Sequence, residues 1–152
     1  MNPIPYDQLS ELVLLELCMW REARGEGSLG KRGVAHVVSN RVKSGRTWHQ
    51  VILKPYQFSS FNANDPNSEK WPADDDQAWI DCCQIAQRVY LGADYDITAG
   101  ATFYFSPPLT KPPIAEWGPV AITLAVGNLT FCKVLPEVPN THDDVQEAST
   151  AT

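Results

Sequence analysis

Residues 7–26 read Asp7-Gln8-Leu9-Ser10-Glu11-Leu12-Val13-Leu14-Leu15-Glu16-Leu17-Cys18-Met19-Trp20-Arg21-Glu22-Ala23-Arg24-Gly25-Glu26. Wound as a helix, the apolar side chains from Leu9 to Trp20 cover most of the circumference. Such a helix runs through a core rather than lying on it. Asp7 is placed to cap its start, and Gly25 and Gly27 break the pattern, so the helix is expected to end near Arg24. The abrupt change from an apolar run to two acids and two arginines is the most unusual feature of the chain. Glu22 falls in the last turn. The carbonyl end of a helix carries partial negative charge, and together with burial beside Trp20 it disfavours a carboxylate and raises its pKa. A glutamate tuned that way can serve as a general acid near neutral pH. The plainer reading of the same residues is a polar helix end with solvated Glu–Arg pairs.

Ser28 can cap a second helix in which Val34, Val37, Val38 and Val42 share one face, and Gly45 stops it. A short helical turn carrying Val51 and Ile52 follows Thr47 and ends at Pro55. Residues 56–72 mix turn formers (Asn62, Asn64, Asp65, Pro66, Asn67, Ser68) with aromatics (Tyr56, Phe58, Phe61, Trp71). An irregular segment this long is more often a binding loop than a mere connection. Asp74, Asp75 and Asp76 start a third long helix, since acids favour the positive end of the helix dipole. Trp79, Cys82 or Cys83, Ile85, Ala86, Val89 and Tyr90 supply its buried side, and Gly92 its stop.

The last third changes character. Ala101 to Phe105 is β-like, and Pro107, Pro108, Pro112 and Pro113 make a stiff loop. Val120 to Val126 and Leu129 to Val134 flank Gly127-Asn128, a two-residue hairpin signal. The expected fold class is α+β: three long helices with a small antiparallel sheet of about three strands. Residues 1–135 form a single domain, and residues 136–152, rich in Pro, Thr, Asp, Glu and Ser, a flexible acidic tail.

Composition narrows the function. The chain has 152 residues, 43% hydrophobic and 20% charged, enough for one core. Eighteen acids against 12 bases give a formal charge of −6, which opposes nucleic acid as a partner. No apolar run approaches the roughly 20 residues that span a bilayer, so no membrane insertion is expected. Residues 1–10 hold no Lys or Arg, which a secretory signal would carry; synthesis in the cytoplasm is the expectation. Cys18, Cys82, Cys83 and Cys132 contain no CxxC pair and read as free thiols. His36, His49 and His142 have no metal-ligand spacing, so neither a metal nor another cofactor is expected. No GxSxG and no phosphate-binding glycine loop is present.

Two further segments carry candidate chemistry. Tyr56-Gln57-Phe58-Ser59-Ser60-Phe61 interleaves hydrogen-bonding side chains with aromatics, as a sugar groove does; an aromatic-anchored loop is the alternative. Thr102-Phe103-Tyr104-Phe105-Ser106 alternates aromatic and small residues, as core strands also do.

Taken together, these segments resemble the SleB/CwlJ-type cell-wall hydrolases, the spore-cortex-lytic enzymes and their relatives. The resemblance rests on Arg21-Glu22-Ala23-Arg24-Gly25-Glu26, Val37-Val38-Ser39-Asn40-Arg41-Val42, Gln57-Phe58-Ser59, Ala101 to Pro107, and Val126-Gly127-Asn128 with Phe131. It runs from about residue 10 to 134. It implies a lysozyme-like fold and cleavage of peptidoglycan between N-acetylmuramic acid and N-acetylglucosamine. The family is similar to lytic transglycosylases, and its single catalytic glutamate falls on Glu22. Glu26, Gln57, Phe58, Ser59 and Tyr104 fall on positions expected to bind substrate. The family usually has histidine where Phe103 stands, and again near Leu129, so substrate preference is expected to differ here.

A hydrolytic muramidase would need a second acid, for which Glu26, Asp65 and Glu69 are the candidates. An amidase acting on the peptide bond to muramic acid and a non-catalytic glycan-binding module are the other readings. A monomer with peptidoglycan as its partner is expected. Without a signal or an attached wall-binding repeat, an endolysin-like enzyme that reaches the wall after release fits best.

Overall fold

The computed structural model describes residues 4–55 and 57–136. All but the first residue of the expected tail 136–152 thus lies outside the described residues, as do Tyr56 and His142. Helix α1 spans Glu11–Ala23. Ser10, not Asp7, caps it, its hydroxyl accepting from the Val13 amide at 3.2 Å. Asp7 instead lies in a separate 3-10 turn, Tyr6–Gln8. The cause is local: Ser10 has the extended backbone an N-cap requires, and Leu9 leaves the preceding turn in the same conformation.

Leu14, Leu15, Leu17, Cys18 and Met19 are essentially inaccessible. Helix α1 is therefore the central rod that its all-round apolar pattern predicts. Three helices enclose it: α2 (Ser28–Val42), α3 (Trp48–Leu53) and α4 (Gln77–Tyr90). Gly27, not Ser28, is the N-cap of α2, and Ser28 is its first residue. Thr47 and Gln50 close a reciprocal capping box on α3. Asp76 caps α4 through the Trp79 amide, so that helix begins one residue beyond the acidic run.

Strands β1 (Phe103–Phe105), β2 (Val120–Val126) and β3 (Leu129–Val134) form an antiparallel sheet in the order β1-β3-β2. The Gly127-Asn128 turn joins β2 to β3, with Gly127 at φ +57°. Tyr104 on β1 pairs with Phe131 on β3. Phe131 is fully buried, and its ring tip sits 2.3 Å from where a side chain on Gly33 would begin. Only glycine at position 33 lets α2 lie this close to the sheet. A short helix not expected from the sequence, α5 (Ile114–Trp117), interrupts the proline-rich loop. Four residues are too few to show a helical period.

Buried polar groups fix the joints. His36 is buried and its Nε2 lies 2.7 Å from Asp94, which also pairs with Arg32 at 3.1 Å. Asp96 accepts from the Thr98 and Gly100 amides and from Asn40. These contacts pin residues 94–101 to α2 and so set where β1 starts. Cys18, Cys82 and Cys132 are buried, Cys83 is half-buried, and all four are free thiols. Burial pushes the thiols of Cys82 and Cys83 up to about 12. Neither is an activated nucleophile.

Candidate active site

Glu22 occupies the next-to-last position of α1, where the rod emerges from the core. Its side chain is half-buried in a groove of about 310 Å³. Phe58 underlies the groove, Phe103 and Trp117 form one side, and Tyr104 stands against the carboxylate. The Tyr104 hydroxyl donates to Glu22 Oε1 at 2.8 Å. The Tyr104 ring is held by Phe131, with centroids 5.8 Å apart. The sheet thus delivers one hydrogen-bond donor to the end of the central helix, across 82 residues of sequence.

Burial raises the pKa of Glu22 above the ordinary glutamate value. Hydrogen bonding from Tyr104 and Ser60 works against that rise, as does the Arg21 charge, while the Asp65 carboxylate reinforces it. Ser60 is within electrostatic reach although its buried Oγ makes no hydrogen bond of good geometry among the described residues. Desolvation dominates, so the protonated form of Glu22 is favoured relative to a glutamate in water. The Tyr104 hydroxyl is pushed well above its usual value, first by burial and then by the Glu22 charge. It stays a donor.

The two arginines flanking Glu22 do not pair with it. The Arg21 guanidinium donates to the carbonyls of Lys70, Ser60 and Ser68 and to the Tyr6 hydroxyl, at 2.8–3.3 Å. The rings of Tyr6, Phe61 and Trp71 surround it at 5.0–5.2 Å. Arg21 is therefore the post around which residues 57–72 fold. Arg24 donates to Asn67 in the same loop and lies over Trp20. The solvated Glu–Arg pairs of the plainer reading do not form.

The other expected site residues separate into two groups. Gln57, Ser59 and Tyr104 line the Glu22 groove. Gln57 and Ser59 are exposed, at its rim. Phe58 is only 1% exposed. It shapes the floor and offers no free face for stacking on a sugar, because the Arg41 guanidinium also covers its ring at 5.1 Å. Glu26 does not line the groove. Its carboxylate accepts from the Asn128 amide at 3.3 Å and lies against Gly127, tying the β2–β3 turn to the α1–α2 corner. Of the second-acid candidates, Asp65 is near enough to raise Glu22's pKa, but its side chain is engaged with the Asn67 amide. Glu69 is exposed and lines no part of the groove.

Arg41, Trp117 and Glu116 line the groove and went unrecognised as site residues in the sequence. Arg41 had a readable signal. It sits three and four residues after Val38 and Val37, on the apolar stripe of α2, where a solvated arginine does not belong. Its Nε donates to the Thr102 carbonyl at 2.6 Å and its Nη1 to Gln57 at 3.2 Å, while its plane lies between Phe58 and Phe103. Trp117 stacks on Phe103 at 4.6 Å. An aromatic wall thus stands where the resembled family usually has histidine. Among the described residues no group of three His, Cys, Asp or Glu side chains is placed to hold a metal ion.

Residues 25–132 match a family model described as cell wall hydrolase. The match starts three residues after Glu22 and includes the rest of the groove. The catalytic domain of the Bacillus cereus SleB protein superposes with a TM-score of 0.63 at 25% identity, over 88% of this chain and 94% of that one. The catalytic domain of the germination-specific lytic transglycosylase SleB from Bacillus anthracis gives 0.62 at 25% identity, over 86% and 100%. No curated protein matches the chain. The lysozyme-like α+β arrangement expected from the sequence is the fold of this chain.

Proposed function

Because the chain belongs to the cell wall hydrolase family, we propose that it degrades peptidoglycan as a lytic transglycosylase, with Glu22 as its single acid and base. One observation carries this reading. A half-buried glutamate with a raised pKa sits in an aromatic groove with a tyrosine hydroxyl on one carboxyl oxygen. The similarity to a catalytic domain named as a lytic transglycosylase supports it.

The steps follow from the charge states. Protonated Glu22 gives its proton to the glycosidic oxygen between N-acetylmuramic acid and N-acetylglucosamine. The bond from that oxygen to the muramic anomeric carbon breaks, leaving an oxocarbenium-like centre. Glu22 is now a carboxylate, stabilised by the Tyr104 hydroxyl at 2.8 Å. It takes the proton from the muramic 6-hydroxyl, whose oxygen bonds to the anomeric carbon and closes a 1,6-anhydro ring. Protons balance, water is not consumed, and no second carboxylate is required.

A hydrolytic muramidase is the second reading, and the groove gives it a specific candidate. Glu116, at the end of α5, lines the same groove as Glu22. In that case water replaces the 6-hydroxyl and Glu116 is the acid to test.

The pH–rate profile tests the role of Glu22. The general acid must be protonated, so kcat/KM falls as pH rises through Glu22's pKa. Tyr104 donates to the charged form and lowers that pKa. Tyr104→Phe is therefore expected to move the alkaline limb to higher pH and to lower kcat at the optimum by about tenfold, the scale of one lost hydrogen bond to a charged group. Turnover of labelled peptidoglycan measured across pH checks this. An alkaline limb that stays put, or moves to lower pH, argues against Glu22 as the acid.

A further inference from the structure

A second cavity, of about 510 Å³, opens beside the Glu22 groove and shares Arg41, Gln57, Phe103, Glu116 and Trp117 with it. Its far end is cationic. Arg46 and Lys54 line it with Arg41, so three positive side chains face one acid, Glu116. That is unusual in a chain of net charge −6. The charges are uncompensated: among the described residues neither Arg46 nor Lys54 forms an ion pair. Burial is the main factor that disfavours the charged Arg41 guanidinium, and Arg46 adds to it as a like charge.

The placement is fixed by the fold. Arg46 follows Gly45, whose φ of +105° ends the turn after α2, and directly precedes the Thr47 capping box of α3. Lys54 is the residue that closes α3. The short helix therefore holds the two cations at its two ends, facing one cavity. Three cations kept together against a single acid favour a polyanionic or carboxylate-bearing ligand.

We propose that this cavity binds the carboxylates of the short acidic peptide that branches from muramic acid, so that the enzyme selects glycan that still carries its peptides. The inference rests on the reading of the Glu22 groove as a peptidoglycan site. A strand lying in that groove directs its branch sideways, and the cationic cavity adjoins the groove along one wall. Arg46 offers a planar fork to a carboxylate and Lys54 a mobile point charge.

The test compares wild type with Arg46→Ala/Lys54→Ala on the same cell-wall preparation before and after an amidase strips the peptides. Wild type is expected to show a kcat/KM on the order of tenfold higher on the peptide-bearing glycan, as two charge-assisted contacts allow. The double variant is expected to lose that preference while matching wild type on stripped glycan. An equal loss on both substrates, or a wild type that does not distinguish them, overturns the proposal. Both side chains are exposed, and circular dichroism confirms that the variant is folded.

A binding arm separates this inference from the glycan-cleavage reading. A free stem tetrapeptide is titrated by NMR against both proteins, beside the same peptide with its carboxylates amidated. Binding that weakens about tenfold on amidation and in the variant upholds the site even if no glycan is cut. Binding indifferent to both changes, or absent, overturns it.

Discussion

Glu22→Gln is expected to abolish peptidoglycan cleavage, lowering kcat by at least about 10³-fold, and to leave the fold at least as stable as wild type. The amide keeps the shape and can still meet the Tyr104 hydroxyl, but it can neither give nor take the proton. The stability result follows from the sign of the pKa shift. Burial raises Glu22's pKa in the folded protein above its unfolded value. A group shifted that way contributes stability that is full below the unfolded pKa and is lost as pH rises through the folded one. Above Glu22's folded pKa wild type has lost it, whereas glutamine never ionises. The variant's melting temperature is therefore expected to equal or exceed that of wild type on the alkaline side of Glu22's pKa and to converge with it on acidification. Turnover and thermal melts across pH check both halves. Retained turnover in a folded variant removes Glu22 from the chemistry, and a lower melting temperature on the alkaline side of Glu22's pKa contradicts the burial argument.

Arg21→Met is expected to be the most destabilising single change beside the site, by roughly 3 kcal/mol. Arg21 is 4% exposed, and its guanidinium satisfies three loop carbonyls and one hydroxyl inside a box of three aromatic rings. Methionine fills part of the volume and leaves those carbonyls without a donor. The cost falls on residues 57–72, which bring Ser60 and Asp65 to Glu22. Activity is expected to drop at temperatures where the rest of the protein is still folded. Arg21→Lys is expected to rescue little, because one ammonium cannot reproduce a planar fork that serves four acceptors. Denaturant unfolding and kcat/KM on the two variants check this. Full rescue by lysine contradicts the account.

The elements that the sequence revealed are those with long-range physical cause in local pattern. The all-round apolar run of α1 has one solution, burial in the centre, and the Gly127-Asn128 turn between two β-like runs has one common geometry. Helix starts were less legible. At α1 two capping side chains, Asp7 and Ser10, stand three residues apart, and the backbone after Leu9 decided between them. Helix α5 was hidden among prolines because one turn carries no period.

At the site, Glu22 and Tyr104 were both named from sequence, but their contact was not derivable from residue spacing, since the sheet brings them together. Glu26 shared Glu22's motif yet faces the hairpin turn, because α1 ends at Ala23 and the chain changes direction between them. Phe58 shared a motif with Gln57 and Ser59, and its position between exposed neighbours placed it in the floor. The arginines invited pairing with Glu22. Arg21 instead serves the Tyr6 hydroxyl and carbonyls 39 to 49 residues away, and Arg24 the Asn67 side chain 43 residues away, beyond the reach of any local pattern.

On the proposed reading Glu22 works alone, with the muramic 6-hydroxyl rather than water as the acceptor. Mass spectrometry of the fragments released from purified peptidoglycan by wild-type protein tests it most directly. Wild type is expected to give 1,6-anhydromuramyl ends, about 18 Da lighter than hydrolysed ones by the mass of one water, and Glu22→Gln none. Reducing muramic ends would contradict it and turn the search to Glu116. Free stem peptides on uncut glycan would contradict glycan cleavage altogether.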